Sequence, residues 1–227
     1  MPGRVIETRI NGSSLSMYKA KVLDYSIRAV SYSDGYVKPV AKPFPVKLTP
    51  KIGLREITLT LDFEGNDARE ITKAISSFTA ALMANADMEL PDGFHYWCGY
   101  DSASMQERVA PWIEQVTFRL HGLRHEELVT EQFASSGKLS VAGNMKTPAI
   151  VKLTPLSGSG TMTFNGITVE CETTVTIDGV YTTVLDAAGN NVFGSTNMTE
   201  WPKLMPGDNT ITISGCTADV SYYPIYV

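Results

Sequence analysis

The feature that most limits the fold of this chain is the alternation of apolar and polar residues along many short segments. In residues 54–63 (LREITLTLDF), isoleucine and leucine alternate with threonine and aspartate. A period of two residues puts the apolar side chains on one face of a strand, so this segment is predicted to have one buried face. Further strands are predicted at residues 5–10, 23–31, 88–90, 93–100 and 114–120.

One segment has a different period. In residues 67–85 (DAREITKAISSFTAALMAN), the apolar residues recur at helical spacing, and Asp67 with Glu70 forms a D-x-x-E capping pattern. This pattern predicts one amphipathic helix. Its apolar stripe needs a partner, so we expect the helix to pack across the strands of its own domain.

The second half of the chain consists of short β-rich runs separated by glycines. Asn165-Gly166 and Asp178-Gly179 lie between such runs, and both dipeptides favour tight hairpin turns. The small, polar residues 131–138 (EQFASSGK) indicate a boundary. We therefore predict two domains: residues 1–134, β-sandwich-like with one helix, and residues 135–227, an antiparallel β-sandwich or jelly roll.

Turn residues precede one strand of the second domain. In residues 204–215 (LMPGDNTITISG), a proline, a glycine and two polar residues come before an alternating run. We expect residues 210–213 to pair with residues 218–223 as the last hairpin. In that register Ile211 and Ile213 would point inward.

Residues 32–53 form a long loop that is rich in proline and lysine. Prolines at positions 39, 43, 45 and 50 remove amide donors and fix φ, so the segment is expected to be extended or looped. Its lysines make it a basic island in an acidic protein; they are Lys38, Lys42, Lys47 and Lys51. Two interpretations stay open, a solvated hairpin tip and an arm that reaches a neighbouring subunit.

Composition narrows the classes of partner. A net charge of -5 and a pI near 5.2 argue against nucleic acid as a ligand. The chain lacks the apolar run of roughly 20 residues that spans a bilayer, and its start lacks the apolar core of a secretory signal. We therefore expect a protein that stays in the cytoplasm where it is made. Cys98, Cys171 and Cys216 have no C-x-x-C spacing and are expected to be small, reduced core residues.

The candidate chemistry is sparse. His121 and His125 are four residues apart beside Glu126 and Glu127, and on a helix they could hold a metal. However, HGLRH contains a glycine and follows a strand, so we expect a loop there and no metal site. His95 is expected to be a partly buried, hydrogen-bonded histidine. The sequence predicts no catalytic residues, no cofactor and no enzymatic activity.

Several longer motifs resemble a known family. The segments GNMKTPAIV (143–151), WPKLMPGDNTITISG (201–215) and ADVSYYPIYV (218–227) look like the galectin-like domain of siphophage distal tail proteins. The first half is also similar to that family, in a strand ending in DFEG, the amphipathic helix and LPDGFHYWCGY (90–100). The resemblance covers nearly the whole chain. It implies a phage or prophage of Gram-positive bacteria.

The resemblance also implies a function. Members of this family are virion structural proteins of the baseplate, assembled in the host cytoplasm and located at the tail tip. The N-terminal domain is expected to form a homo-hexameric ring that joins the tail tube protein to a tail-associated lysin or receptor-binding protein. The basic segment corresponds to the long belt extension of the family. Lys38, Lys42, Lys47 and Lys51 are therefore expected at the subunit or tube interface.

The sequence leaves two other candidate functions. The implied galectin-like domain and the residues Trp201, Tyr222 and Tyr226 suggest a module that recognises host cell-wall polysaccharide, because aromatic faces stack on sugars. Such aromatics are more often core residues. A wall hydrolase is the third candidate, and no arrangement of residues supports it.

Overall fold

The computed structural model describes residues 7–30, 32–33, 36–37, 46–47, 51–84, 86–105, 110–156 and 160–227; between 32 and 52 it describes only the backbone. Two compact units make up the chain, one running from Met1 to His125 together with Val227, the other from Glu126 to Tyr226. Within the described ranges, no helix is both long and apolar enough to cross a membrane.

The strands of the first unit are β1 (Arg9–Ile10), β2 (Ser13–Ser14), β3 (Ala20–Ile27), β4 (Tyr32–Ser33), β5 (Tyr36–Val37), β6 (Val46–Lys47), β7 (Lys51–Ile52), β8 (Arg55–Glu64), β9 (Ala86–Glu89), β10 (His95–Met105) and β11 (Ile113–His125). The strands of the second unit are β12 (Val129–Phe133), β13 (Gly137–Val141), β14 (Thr147–Pro155), β15 (Thr161–Phe164), β16 (Ile167–Glu170), β17 (Val175–Asp178), β18 (Thr183–Asp186), β19 (Lys203–Leu204), β20 (Gly207–Ile211), β21 (Ile213–Ser214), β22 (Cys216–Tyr222) and β23 (Ile225–Tyr226). The helices are α1 (Ala68–Met83) and two short 3-10 helices, Leu15–Tyr18 and Phe193–Ser195.

Helix α1 confirms the helix predicted over residues 67–85. Asp67 caps it, because its Oδ1 accepts a hydrogen bond of 2.7 Å from the Glu70 amide. The Glu70 carboxylate accepts from the amide of Asn66 and not from that of Asp67, so the capping box closes one residue earlier than its usual form. The hydrogen bond from Lys19 and that from the Asn66 amide lower the pKa of Glu70.

The main sheet of the first unit is antiparallel, with the strand order β2-β1-β9-β10-β11-β8-β3. Its inner face packs on α1. There the Phe78 ring of the helix lies 5.9 Å from Phe63 of β8 and 5.1 Å from Phe118 of β11, in edge-to-face geometry. The outer face, which points away from α1, carries the alternate residues of the same strands, such as Thr60 and Thr117.

Strand β11 corrects one prediction from the sequence. Residues 121–125 (HGLRH), expected as a loop, continue the strand and pair with β10. Gly122 faces the core at this point, where an added Cβ would lie 2.6 Å from Ile57 Cδ1 and 3.4 Å from Cys98 Sγ. Gly122 therefore allows close packing inside β11, and the strand continues through it.

The backbone between β3 and β8 forms an arm. Strand β4 pairs with β7, and β5 pairs with β6, both antiparallel, so the arm extends the β3–β8 hairpin. At its base the Arg28 guanidinium donates a 3.0 Å hydrogen bond to the Glu56 carboxylate. Lys47 and Lys51 belong to β6 and β7 by their backbone, while Lys38 and Lys42 lie outside the described residues.

The second unit is built from antiparallel sheets around one core. The largest has the order β12-β22-β14-β17-β18, with β19 also paired to β14, and the smaller ones are β13-β20 and β16-β15-β21. Buried residues of all three sheets, among them Val151, Val220, Phe164 and Ile211, belong to one hydrophobic cluster. The prediction of a mainly β, sandwich-like fold is confirmed.

The turn at Asn165-Gly166 forms as predicted, with φ of 45° and 84°, but the expected last hairpin is wrong. Strand β20 pairs with β13, and β21 pairs with β15. Strand β22 already has a neighbour on each side, since it lies between β12 and β14. No edge of β22 was left for the preceding strand. Ile211 is buried, as expected, whereas Ile213 is half-buried.

Candidate functional site

The outer face of the first sheet brings together Asp87, His95 and His125 from three neighbouring strands. His95 of β10 is directly opposite His125 of β11. Asp87 of β9 is opposite Trp97 of β10, two residues beyond His95 on the same face. The register of three strands therefore places two imidazoles and a carboxylate side by side.

The three side chains converge at one point. Asp87 Oδ1 lies 3.3 Å from His95 Nδ1 and 3.3 Å from His125 Nε2. All three ligand atoms lie within 4.8 Å of one another. His125 is buried, with 1% of its surface exposed, while His95 and Asp87 are half-buried.

Trp97 holds the buried imidazole in place. Its ring stacks on that of His125 with the centroids 4.3 Å apart and the planes at 28°. The rings of His95 and His125 lie 5.4 Å apart. Because every member lies on a paired strand, the geometry of the cluster is fixed by the sheet and not by a loop.

The electrostatics favour an ionised carboxylate at Asp87. Burial alone would raise its pKa, but the adjacent imidazoles of His125 and His95 outweigh burial, so the pKa is lowered. Glu89 is opposite His95, and its carboxylate lies 4.0 Å from the Arg9 guanidinium. A carboxylate beside two imidazoles can coordinate a metal ion or share protons with the rings.

Sequence analysis considered His125 together with His121, whereas the structure places His125 opposite His95. His95 is half-buried and hydrogen-bonded, as expected. His121 does not join the cluster; its Nε2 lies 4.0 Å from Asp101 Oδ1. Asp87 completes the group, and sequence analysis did not identify it as a candidate ligand. The signal that could have found it is the β9–β10–β11 register, which a single strand does not reveal.

A second feature is a cleft of about 480 Å³ in the second unit. Trp201 is half-buried at its wall, with the Phe193 ring 5.9 Å away. Asn165 and Asn197 also line it, but their side chains already accept hydrogen bonds from the amides of Thr212 and Thr168. Glu200 is an exposed polar group at the same cleft.

The other predicted aromatic residues lie elsewhere in the fold. Tyr222 is 2% exposed, and its hydroxyl donates to the Ser140 carbonyl and accepts from the Ala142 amide, both at 3.3 Å. Its ring therefore has no face free for a sugar. Tyr226 is half-buried in β23.

No family model matches the chain, and no curated protein matches it. Among solved structures, the SPP1 Dit (gp 19.1) protein, described as a paradigm of the hub adsorption apparatus in phages that infect Gram-positive bacteria, is similar with a TM-score of 0.72 at 13% identity. That match covers 99% of this chain and 100% of that one.

Two structures of the phage P2 baseplate in its activated conformation, one with Ca and one with Sr, are also similar. Their TM-scores are 0.59 and 0.58 at 9% and 10% identity, over 92% of each chain. At these identities the likeness establishes the fold. The chain therefore has the fold of phage tail hub and baseplate proteins.

Proposed function

We propose that this chain is a structural protein of a phage tail hub. The observation that carries the proposal is the likeness to the SPP1 hub protein, which spans 99% of this chain and 100% of the other at a TM-score of 0.72. A match over both units supports a whole hub subunit more strongly than a match to one common β domain would.

More specifically, we propose that the chain is a distal tail protein of a phage or prophage of Gram-positive bacteria. Six copies form a ring through the first unit. The ring joins the tail tube protein to the tail-tip protein, either a tail-associated lysin or a receptor-binding protein. The second unit is the galectin-like domain, assembly takes place in the host cytoplasm, and the protein carries out no catalysis.

Strand β3 is a candidate contact between subunits. It is the end strand of the first sheet within the described residues, so its outer edge offers backbone groups to another chain. A bulge between Val22 and Asp24 leaves Leu23 56% exposed at this edge. An exposed leucine on an edge strand fits a protein whose edges are covered on assembly.

The arm is the second candidate contact. It continues the β3–β8 hairpin, so it projects from the same edge of the sheet. Its lysines (Lys38, Lys42, Lys47 and Lys51) would meet acidic patches on a neighbouring subunit or on the tube. Prolines in the segment reduce the entropy that is lost when it becomes ordered.

The test is the mass and shape of the purified protein. Light scattering at high concentration and negative-stain images should give a six-fold ring. Changing all four arm lysines to glutamate should shift the mass towards the monomer and abolish binding to the tube protein. A wild-type protein that stays monomeric with and without the tube protein would contradict the ring.

A matched control has the same change of charge. Lys138, Lys146, Lys152 and Lys203 are exposed residues of the second unit. Their simultaneous change to glutamate should leave the mass and the tube binding of the ring unchanged. If both quadruple variants lose assembly equally, net charge and not the arm is responsible.

The second candidate function is binding of cell-wall polysaccharide at the Trp201 cleft. The observation that favours it is an indole at the wall of a cleft with exposed polar groups such as Glu200. Calorimetric titration with host wall polysaccharide should give binding that Trp201→Ala removes and that Tyr181→Ala, at a tyrosine 77% exposed, retains. An absence of heat with the wild-type protein rules out this function.

A further inference from the structure

We propose that Asp87, His95 and His125 form a binding site for a divalent transition-metal ion of the Zn²⁺ class, on the outer face of the first sheet. The proposal is independent of the tail-hub function, since it depends only on side chains of one sheet. It differs from the prediction made from the sequence, which was that the chain has no metal site.

The distances fit a tetrahedral ion. Zn²⁺ bonds nitrogen and carboxylate oxygen at about 2.0–2.2 Å, so two ligand atoms of one tetrahedron lie about 3.3–3.6 Å apart. Asp87 Oδ1 is 3.3 Å from His95 Nδ1 and 3.3 Å from His125 Nε2. The two imidazole nitrogens lie no more than 4.8 Å apart. A small movement of His95 therefore lets all three atoms share one ion.

The ligand types select the class of metal. Imidazole nitrogens suit Zn²⁺, Cu²⁺, Fe²⁺ and Ni²⁺, and Zn²⁺ also accepts a carboxylate oxygen as a ligand. Ca²⁺ requires six to eight oxygen ligands, and Mg²⁺ prefers oxygen in an octahedron. The cluster offers too few oxygens for either. Three protein ligands leave a fourth position for water or for a residue of another chain.

The cluster is preorganised. Each ligand lies on a different strand, and the pairs His95–His125 and Asp87–Trp97 are in register. Trp97 stacks on the His125 ring, which restricts its rotation. The site therefore exists only when β9, β10 and β11 are paired, and an ion bound there links three strands. Binding to the folded state alone stabilises that state.

Two neighbouring titratable side chains, Glu89 and His121, have charged partners of their own. Glu89 is opposite His95, but its carboxylate lies 4.0 Å from the Arg9 guanidinium. His121 lies four residues before His125 on β11, and its Nε2 is 4.0 Å from Asp101 Oδ1. The chain has three histidines, so His121 is the one that the proposed site leaves out. It provides a matched control.

The experiment uses the full chain, freed of metal by a chelator. Zn²⁺ is titrated by calorimetry, and Co²⁺ is titrated with the visible absorption of tetrahedral Co²⁺ as a direct readout of geometry. We expect one ion per chain, a Tm that rises with Zn²⁺ concentration, and no comparable effect of Ca²⁺. No heat and no Co²⁺ band up to about 1 mM metal, where binding energy would be marginal, would overturn the proposal.

Variants assign the ligands. His95→Gln and Asp87→Asn should each weaken Zn²⁺ binding by at least about tenfold, the loss typical even of an outer-shell partner. His121→Gln should bind as the wild type does. Binding that survives His95→Gln and Asp87→Asn but is lost in His121→Gln would overturn the proposal. Circular dichroism checks that each variant is folded.

A further measurement needs no variant. Diethyl pyrocarbonate modifies accessible imidazoles, and mass spectrometry locates the modified residue. Zn²⁺ should protect the half-buried His95 and leave the rate at the exposed His121 unchanged. Equal rates at His95 with and without Zn²⁺ would contradict the site even if a variant failed to fold.

Discussion

A Cβ atom on Gly122 of β11 would lie 2.6 Å from Cδ1 of Ile57 on β8, closer than side-chain atoms approach one another in folded proteins. Gly122→Ala is therefore expected to lower the free energy of unfolding by about 1–3 kcal/mol, as overpacked cores do. Urea denaturation followed by circular dichroism measures the change.

Gly99 provides the control for this substitution. It is a glycine of β10 whose added Cβ would meet its nearest atom, the His121 carbonyl oxygen, at 3.9 Å. Gly99→Ala should leave stability nearly unchanged. Ile57→Val removes the clashing methyl, so the double variant Ile57→Val/Gly122→Ala should be more stable than the sum of the two single losses indicates. Strict additivity would contradict the clash.

The cap of α1 gives a second prediction. Asp67 Oδ1 accepts a 2.7 Å hydrogen bond from the Glu70 amide, and Asp67→Ala leaves that amide without its acceptor. We expect a loss of about 1 kcal/mol in the free energy of unfolding. Asp67→Asn and Asp67→Ser keep an acceptor at the N-cap and should retain most of the stability. If these variants are as unstable as Asp67→Ala, the hydrogen bond is not the cause.

Thiol reactivity gives a third prediction. Cys98 is buried, and burial, with a smaller effect of the Asp87 charge, raises its pKa to about 12. Cys216 is also buried, whereas Cys171 is half-buried. Iodoacetamide at pH 8 should therefore modify Cys171 first, and the other two only after unfolding. Peptide mass spectrometry distinguishes the sites. Early modification of Cys98 in the folded protein would contradict its burial.

Cys98 and Tyr96 together predict that the stability of the fold depends on pH in the alkaline range. Burial, followed by the hydrogen bond that Tyr96 donates to Asp92, raises the pKa of Tyr96 above its ordinary value of 10.0. The pKa of Cys98 rises from 9.0 to about 12. Above pH 9 the unfolded chain releases these protons first, so the unfolded state gains stability. The free energy of unfolding should fall as pH rises from 9 to 12.

Two variants separate these contributions. Cys98→Ala should make the fall between pH 9 and 12 less steep, and Tyr96→Phe should do the same above pH 10. Asp101→Asn changes an exposed carboxylate on the same strand and should leave the slope of the wild type. A slope that is the same in all four proteins would show that neither buried group causes it.

Features that depend on neighbouring residues in sequence could be predicted. The bounds of α1 follow from Asp67 and from the apolar stripe, which both lie within one segment. The turn at Asn165-Gly166 follows from the positive φ that these residues accept. Strand β8 follows from strict alternation, and its predicted and observed ranges differ by one residue at each end.

Features that depend on packing between distant segments could not be predicted. Gly122 looks like a strand breaker until Ile57 is placed against it. The partner of β20 is decided by the topology of the sheets, so a nearby strand was the wrong choice. The cluster of Asp87, His95 and His125 requires the register of three strands. A sequence pattern shows which residues of a strand share a face, but it does not show which strands pair.

The position of β22 has a consequence for biosynthesis. This strand joins β12 on one side and β14 on the other, yet the ribosome makes it after every other member of that sheet. Until β22 is available, the β14-β17-β18 part of the sheet and the single strand β12 each have an edge without the strand that pairs with it in the folded unit. Unpaired strand edges make partly folded chains prone to aggregation, and the formation of β22 removes these edges.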